Sequence, residues 1–183
     1  MLYNAFLSYS HAADSDLAEA LRTGLQGYAK PWYRLRAVRI FRDKATLSAT
    51  PKLWSSIQLA IQESEYFIVL ASSNGAQSVW VQKELEYWLQ KDPHCNRLLI
   101  GLTTGKLHWS PDNDFDWSRT DALPQLLQGK FAEEPKYVDL TWAKDSESLT
   151  LRNSSFREAI ADISSTNQRR SQRPPGRRRR KNA

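Results

Sequence analysis

Tyr66-Phe67-Ile68-Val69-Leu70-Ala71 is the stretch that decides the fold. It is apolar almost throughout, as expected of a strand buried on both faces of a parallel sheet. Downstream, Val81, Leu85, Trp88 and Leu89 recur at helical spacing, and Arg97 to Leu102 reads as the next strand. Upstream, Leu53, Ile57, Ala60 and Ile61 mark a helix behind a polar loop, and Val38-Arg39-Ile40-Phe41 reads as a short strand. At the start, Tyr3 to Tyr9 forms a strand ending in hydroxyl residues. A helix follows it, with Asp14 or Ser15 as N-cap and Leu17, Leu21, Leu25 and Tyr28 on one face. Beyond Leu102 the pattern loosens into a segment rich in Asp, Trp and Pro, with one short helix expected around Leu123 to Leu127. Tyr137 to Leu140 then supplies a fifth strand and Phe156 to Ile163 a last amphipathic helix. Strands alternating with helices predict an α/β fold, a parallel sheet covered on both faces by right-handed crossovers. Ligands of such sheets bind beyond the carboxyl ends of the strands, here the loops after Tyr9, Phe41 and Ala71.

The chain has 183 residues and 40% hydrophobic content, enough for one core. We expect one domain over residues 1–164, followed over 165–183 by a disordered arginine-rich tail or linker in which Pro174-Pro175-Gly176 interrupts any structure. The net charge of +6 is concentrated in that tail. Arg169, Arg170, Arg173, Arg177, Arg178, Arg179, Arg180 and Lys181 carry eight positive charges, which leaves about −2 on the first 168 residues. Weak polyanion binding therefore belongs to the Arg169–Lys181 tail, against the plainer reading of a solubilising end or linker. No apolar run approaches the roughly 20 residues of a membrane helix and no leader is evident, so neither a membrane span nor export is expected. Cys95 is the single cysteine and has no partner for a disulfide, which fits a cytoplasmic setting.

Neither a dinucleotide-binding glycine pattern nor a P-loop is present, which removes most support from kinase, NTPase and ordinary dehydrogenase readings. The first strand runs instead into Ser8-Tyr9-Ser10-His11, whose hydroxyls and following helix N-terminus either receive a phosphate or simply cap the helix. In the loop Arg42 to Pro51, the cations can attract a phosphate while Leu47 and Trp54 cover a ring. Equally, the charges are solvated and Trp54 packs. Trp80-Val81-Gln82-Lys83-Glu84 places an indole and a carboxylate one helical turn apart, with Glu84 bordering the Val81/Leu85/Trp88 stripe. A partly desolvated carboxylate beside an aromatic wall suits a reaction that develops positive charge on a sugar ring; the alternative is an ordinary helix-border glutamate. His94, Cys95 and His108 lack companions at ligand spacing, so no metal is expected, and no Gly-x-Ser-x-Gly elbow supports a Ser-His-Asp triad. Trp109 and Trp117, set among Asp112, Asp114 and Asp116, are expected mainly to pack against the sheet.

With these residues in place, the chain resembles the Toll/interleukin-1 receptor (TIR) domain family, of the prokaryotic enzymatic type, over nearly all of Met1 to Ile163. Tyr3 to Ser10 is similar to the family's first box, Arg39-Ile40-Phe41-Arg42-Asp43 and its loop to the second box, and Trp80 to Glu84 to the Trp-x-x-x-Glu motif of catalytic members. The third box is poorly matched, and Ala49-Thr50-Pro51 stands where many relatives carry a glycine turn. The resemblance implies a flavodoxin-like three-layer sandwich with a five-stranded parallel sheet of order 2-1-3-4-5. It also implies cleavage of the nicotinamide–ribose bond of NAD+, a substrate and not a cofactor, giving nicotinamide and ADP-ribose or a cyclic isomer. Glu84 would be catalytic; Ser8, Tyr9 and Ser10 would border the ribose or phosphates, Arg42 and Asp43 would open the closing loop, and Trp80 would wall the pocket. Activation by association with other TIR domains and a place in prokaryotic antiviral defence follow from the same resemblance. The competing expectation is a non-catalytic TIR adaptor that only binds other TIR domains.

Overall fold

The computed structural model describes residues 3–28, 35–37, 51–146 and 149–171. In chain order these form β1 (Tyr3–Ser8), α1 (His11–Tyr28), β2 (Leu35–Ala37), α2 (Pro51–Gln62), β3 (Ser64–Ala71), α3 (Ser73–Gln77), α4 (Val79–Lys91) and β4 (Leu98–Leu102). A two-stranded antiparallel hairpin, β5 (Trp109–Ser110) and β6 (Asp114–Phe115), comes next, then β7 (Tyr137–Asp139) and α5 (Ser154–Ser171). The main sheet runs β2-β1-β3-β4-β7 with every neighbouring pair parallel.

Strand alternation sorts the side chains into two cores. Phe6, Phe67, Val69, Leu98, Ile100 and Leu102 pack under Ile57, Ala60 and Ile61 of α2 and Val81, Leu85 and Trp88 of α4. Ala5, Leu7, Tyr66, Ile68, Leu70 and Leu99 pack under Leu17, Leu21 and Leu25 of α1 and Phe156, Ile160 and Ile163 of α5. Helices thus cover both faces of a parallel sheet, as the alternating pattern predicts. β3 is buried along almost its whole length because both cores need it. Gly24 lets α1 and α5 approach closely, since a Cβ there would meet Ile160 and Phe156 at 2.9 Å.

The elements depart from expectation at several places. β2 is described over Leu35–Ala37, pairing with Ala5–Leu7; the Val38–Phe41 segment expected as this strand lies outside the described residues. α1 starts at His11, because the Ser10 carbonyl already accepts from the amides of Ala13 and Asp14. Asp14 is therefore a buried first-turn residue instead of the N-cap, and Tyr28 at the far end is 47% exposed, off the buried stripe. The helix after β3 is broken in two at Ser78, whose hydroxyl accepts from the Val81 amide and starts α4. The helix expected near Leu123–Leu127 is a single 3-10 turn, Gln125–Leu127. α5 continues to Ser171, past the boundary expected at Ser164. In the loose segment Phe115, Leu127 and Phe131 join the core beneath α4, and Trp109 and Trp117 pack on Phe115.

Candidate active site

Ser8 is the last residue of β1 and shares the parity of Phe6, so it turns toward the α2/α4 face just where the strand ends. Glu84 meets it from α4. Its place beside Val81, Leu85 and Trp88, all buried, directs the side chain down toward the sheet instead of into solvent. The Ser8 hydroxyl, itself buried, donates to Glu84 Oε2 at 2.6 Å. The length is typical of a charge-assisted O–H···O contact. Glu84 keeps some contact with solvent, yet protein packs round the carboxylate closely enough that burial pushes its pKa from an ordinary 4.5 up to about 7, with the Ser8 hydrogen bond pulling the other way. A carboxyl poised near neutrality at the carboxyl end of a central strand is the arrangement a catalytic group requires.

Aromatic residues flank this pair. Trp80 lies one turn before Glu84 and its ring centroid is 6.3 Å from that of Trp54 in the first turns of α2. The Lys83 ammonium sits over both indoles, 4.2 Å from the centroid of Trp54 and 5.4 Å from that of Trp80. Tyr87 meets Trp54 edge-on at 6.1 Å. Trp54, Trp80, Lys83 and Tyr87 therefore join the two helices into one wall. Sequence reasoning misses Lys83 and Tyr87, although their spacing of three and seven from Trp80 puts them on the same helix side.

The remaining expected residues divide. Ser10 is buried at the start of α1. Tyr9 has the opposite parity from Ser8 and packs against the α1/α5 core, its ring 4.6 Å from that of His11. Burial holds the His11 imidazole below the usual histidine range. Arg42, Asp43 and Leu47 lie outside the described residues. A second buried carboxylate, Asp14, which the sequence suggests only as a cap, accepts from Ser72 Oγ at 2.9 Å and Thr103 Oγ1 at 2.7 Å. A separate cleft of about 650 Å³ opens where β4, β7 and α5 meet, but neither Ser8 nor Glu84 lines it. Among the described residues no cluster of three or more His, Cys, Asp or Glu is arranged to hold a metal ion, and no helix is long and apolar enough to cross a membrane.

The model of the TIR domain family matches residues 5–149. NAD(+) hydrolase ApTIR of Actinoplanes sp. is 46% identical over 164 residues, 89% of this chain; the chain spans 23% of that relative's length. Among solved structures, the TIR domains of the activated Roq1 resistosome recognising the pathogen effector XopQ align over 89% of this chain and 84% of theirs, at 16% identity and a TM-score of 0.42.

Proposed function

The chain belongs to the TIR domain family, and on that premise we propose that it cleaves the nicotinamide–ribose bond of NAD+, with Glu84 as the catalytic carboxylate. The observation that carries this reading is the Ser8–Glu84 hydrogen bond, which holds a half-buried carboxylate at the carboxyl end of β1. The relative named as an NAD(+) hydrolase supports it.

The chemistry needs little else. Breaking the N-glycosidic bond leaves positive charge on the ribose, and an ionised carboxylate in a poorly solvated site stabilises that charge. Nicotinamide departs neutral from a cationic precursor, so no acid has to protonate it and a single carboxylate suffices. Trp80 walls the pocket and Ser8 orients Glu84. Water captures the cation to give ADP-ribose, or an adenine nitrogen captures it to give a cyclic isomer. The loop opened by Arg42 and Asp43, with Leu47, closes on the nucleotide, and a neighbouring TIR domain completes the site, so activity rises with self-association. We place the protein in cytoplasmic prokaryotic immune signalling, with the Arg169–Lys181 tail available to polyanions.

The test is nicotinamide release from NAD+ by the assembled chain, resolved chromatographically with its nucleotide products. Release with ADP-ribose or a cyclic isomer is expected. No release from protein shown to be assembled would favour the adaptor reading.

A further inference from the structure

Asp14, Ser72 and Thr103 are three polar residues, each no more than 1% exposed, brought together from the start of α1 and the ends of β3 and β4. Burying a carboxylate is costly, and well-packed apolar side chains would hold three loops together as firmly. A buried polar network is instead suited to specifying one geometry.

The network leads to the site along a continuous path. The Ser72 hydroxyl gives its proton to Asp14 Oδ2 at 2.9 Å, which leaves its lone pairs for the Gly75 amide, also at 2.9 Å, at the start of α3. Glycine at 75 eases a close approach: a Cβ there would press on Ser72 Oγ at 3.0 Å and on the Leu70 carbonyl at 3.2 Å. The Gly75 carbonyl accepts from the Ser78 amide at 3.1 Å, and Ser78 is the N-cap of α4. Gln82 on α4 reaches back to the Ala76 carbonyl at 2.9 Å, locking the two helices in register. Glu84 stands two residues further on. Thr103, just past the end of β4, holds the other carboxylate oxygen at 2.7 Å and also donates to the Ala71 carbonyl of β3 at 3.2 Å; neither contact reaches α3 or α4.

We propose that Asp14 is a positioning residue for the NAD+-cleaving reaction, setting the approach of α4, and so of Glu84 to Ser8, through Ser72 and α3. This rests on the function proposed above. Asp14 does not touch substrate; it acts by orienting the Ser72 hydroxyl, because an amide in its place would present a donor to one of the two hydroxyls. A displacement of a catalytic group by about 1 Å costs on the order of a hundredfold in rate.

The test compares Asp14→Asn, Ser72→Ala and Thr103→Val by kcat and KM per folded molecule, and by the titration of the Glu84 carboxyl carbon followed by NMR. We expect Asp14→Asn and Ser72→Ala to lower kcat about tenfold or more with KM changed less than about twofold. The Glu84 midpoint should move from its wild-type position as its packing and its bond to Ser8 are disturbed, while Thr103→Val, which leaves the Ser72–Gly75 link intact, has a much smaller effect on both. If Asp14→Asn does not fold, the contrast between Ser72→Ala and Thr103→Val decides alone. Equal effects of those two variants, or lowered melting temperatures with kcat and the Glu84 midpoint unchanged, would overturn the proposal. Should the wild type release no nicotinamide, the functional reading fails by itself, and the NMR midpoints still test the positioning.

Discussion

The proposed chemistry rests on the Glu84 carboxyl and its protonation state. With its pKa raised to about 7, Glu84 is largely protonated in mildly acidic solution, and the ionised form needed to stabilise a ribosyl cation appears as the pH passes neutrality. Activity should therefore rise through about pH 7. Because the Ser8 hydroxyl favours the ionised form, Ser8→Ala should move that midpoint upward and lower kcat, as a pH–rate profile of the two proteins will show; a downward shift would contradict the assignment. The same shift acts on stability. The folded protein holds this proton more tightly than the unfolded chain, so the contribution is fully present below pH 4.5 and is lost as the pH rises through about 7. Glu84 is legible in the sequence because its spacing from Trp80 and its place on the Val81/Leu85/Trp88 stripe imply partial desolvation. Its partner is less so: Ser8 lies 76 residues away, and only the parity it shares with Phe6, once the faces of the sheet are known, selects it over Tyr9.

At the scale of elements, α2 and α4 are joined by Trp54, Trp80, Tyr87 and the ammonium of Lys83. Trp54→Ala removes two ring contacts and the cation's nearer partner, at a cost of about 2 kcal/mol. The melting temperature should fall by about 5 °C, and KM for NAD+ should rise as the pocket wall loosens. An unchanged melting temperature would mean that these contacts are solvent-exposed decoration. The alternation of apolar strands with amphipathic helices makes the parallel α/β sheet readable from the residues alone. Other features are hidden because local periodicity does not encode them. The break at Ser78 is such a case, since the Val81, Leu85, Trp88 and Leu89 stripe locates α4 without revealing that a separate short helix precedes it. The β5–β6 hairpin is too short for alternation to register at all.

For the whole molecule, the described residues bring Ser8 and Glu84 together beside the α2/α4 aromatic wall. The proposed completion of the site by a neighbouring copy predicts a dependence on assembly. Specific activity should rise with protein concentration as oligomers form, in parallel with sedimentation; activity that stays flat while the protein assembles would count against it. The most direct test of the central claim is nicotinamide release from NAD+ by wild type and Glu84→Gln side by side, with a crowding agent or bead array to enforce association. The substitution should reduce release by at least about a hundredfold while leaving the melting temperature at or above that of the wild type. Comparable release from the two proteins would contradict the assignment of Glu84 as the catalytic carboxylate.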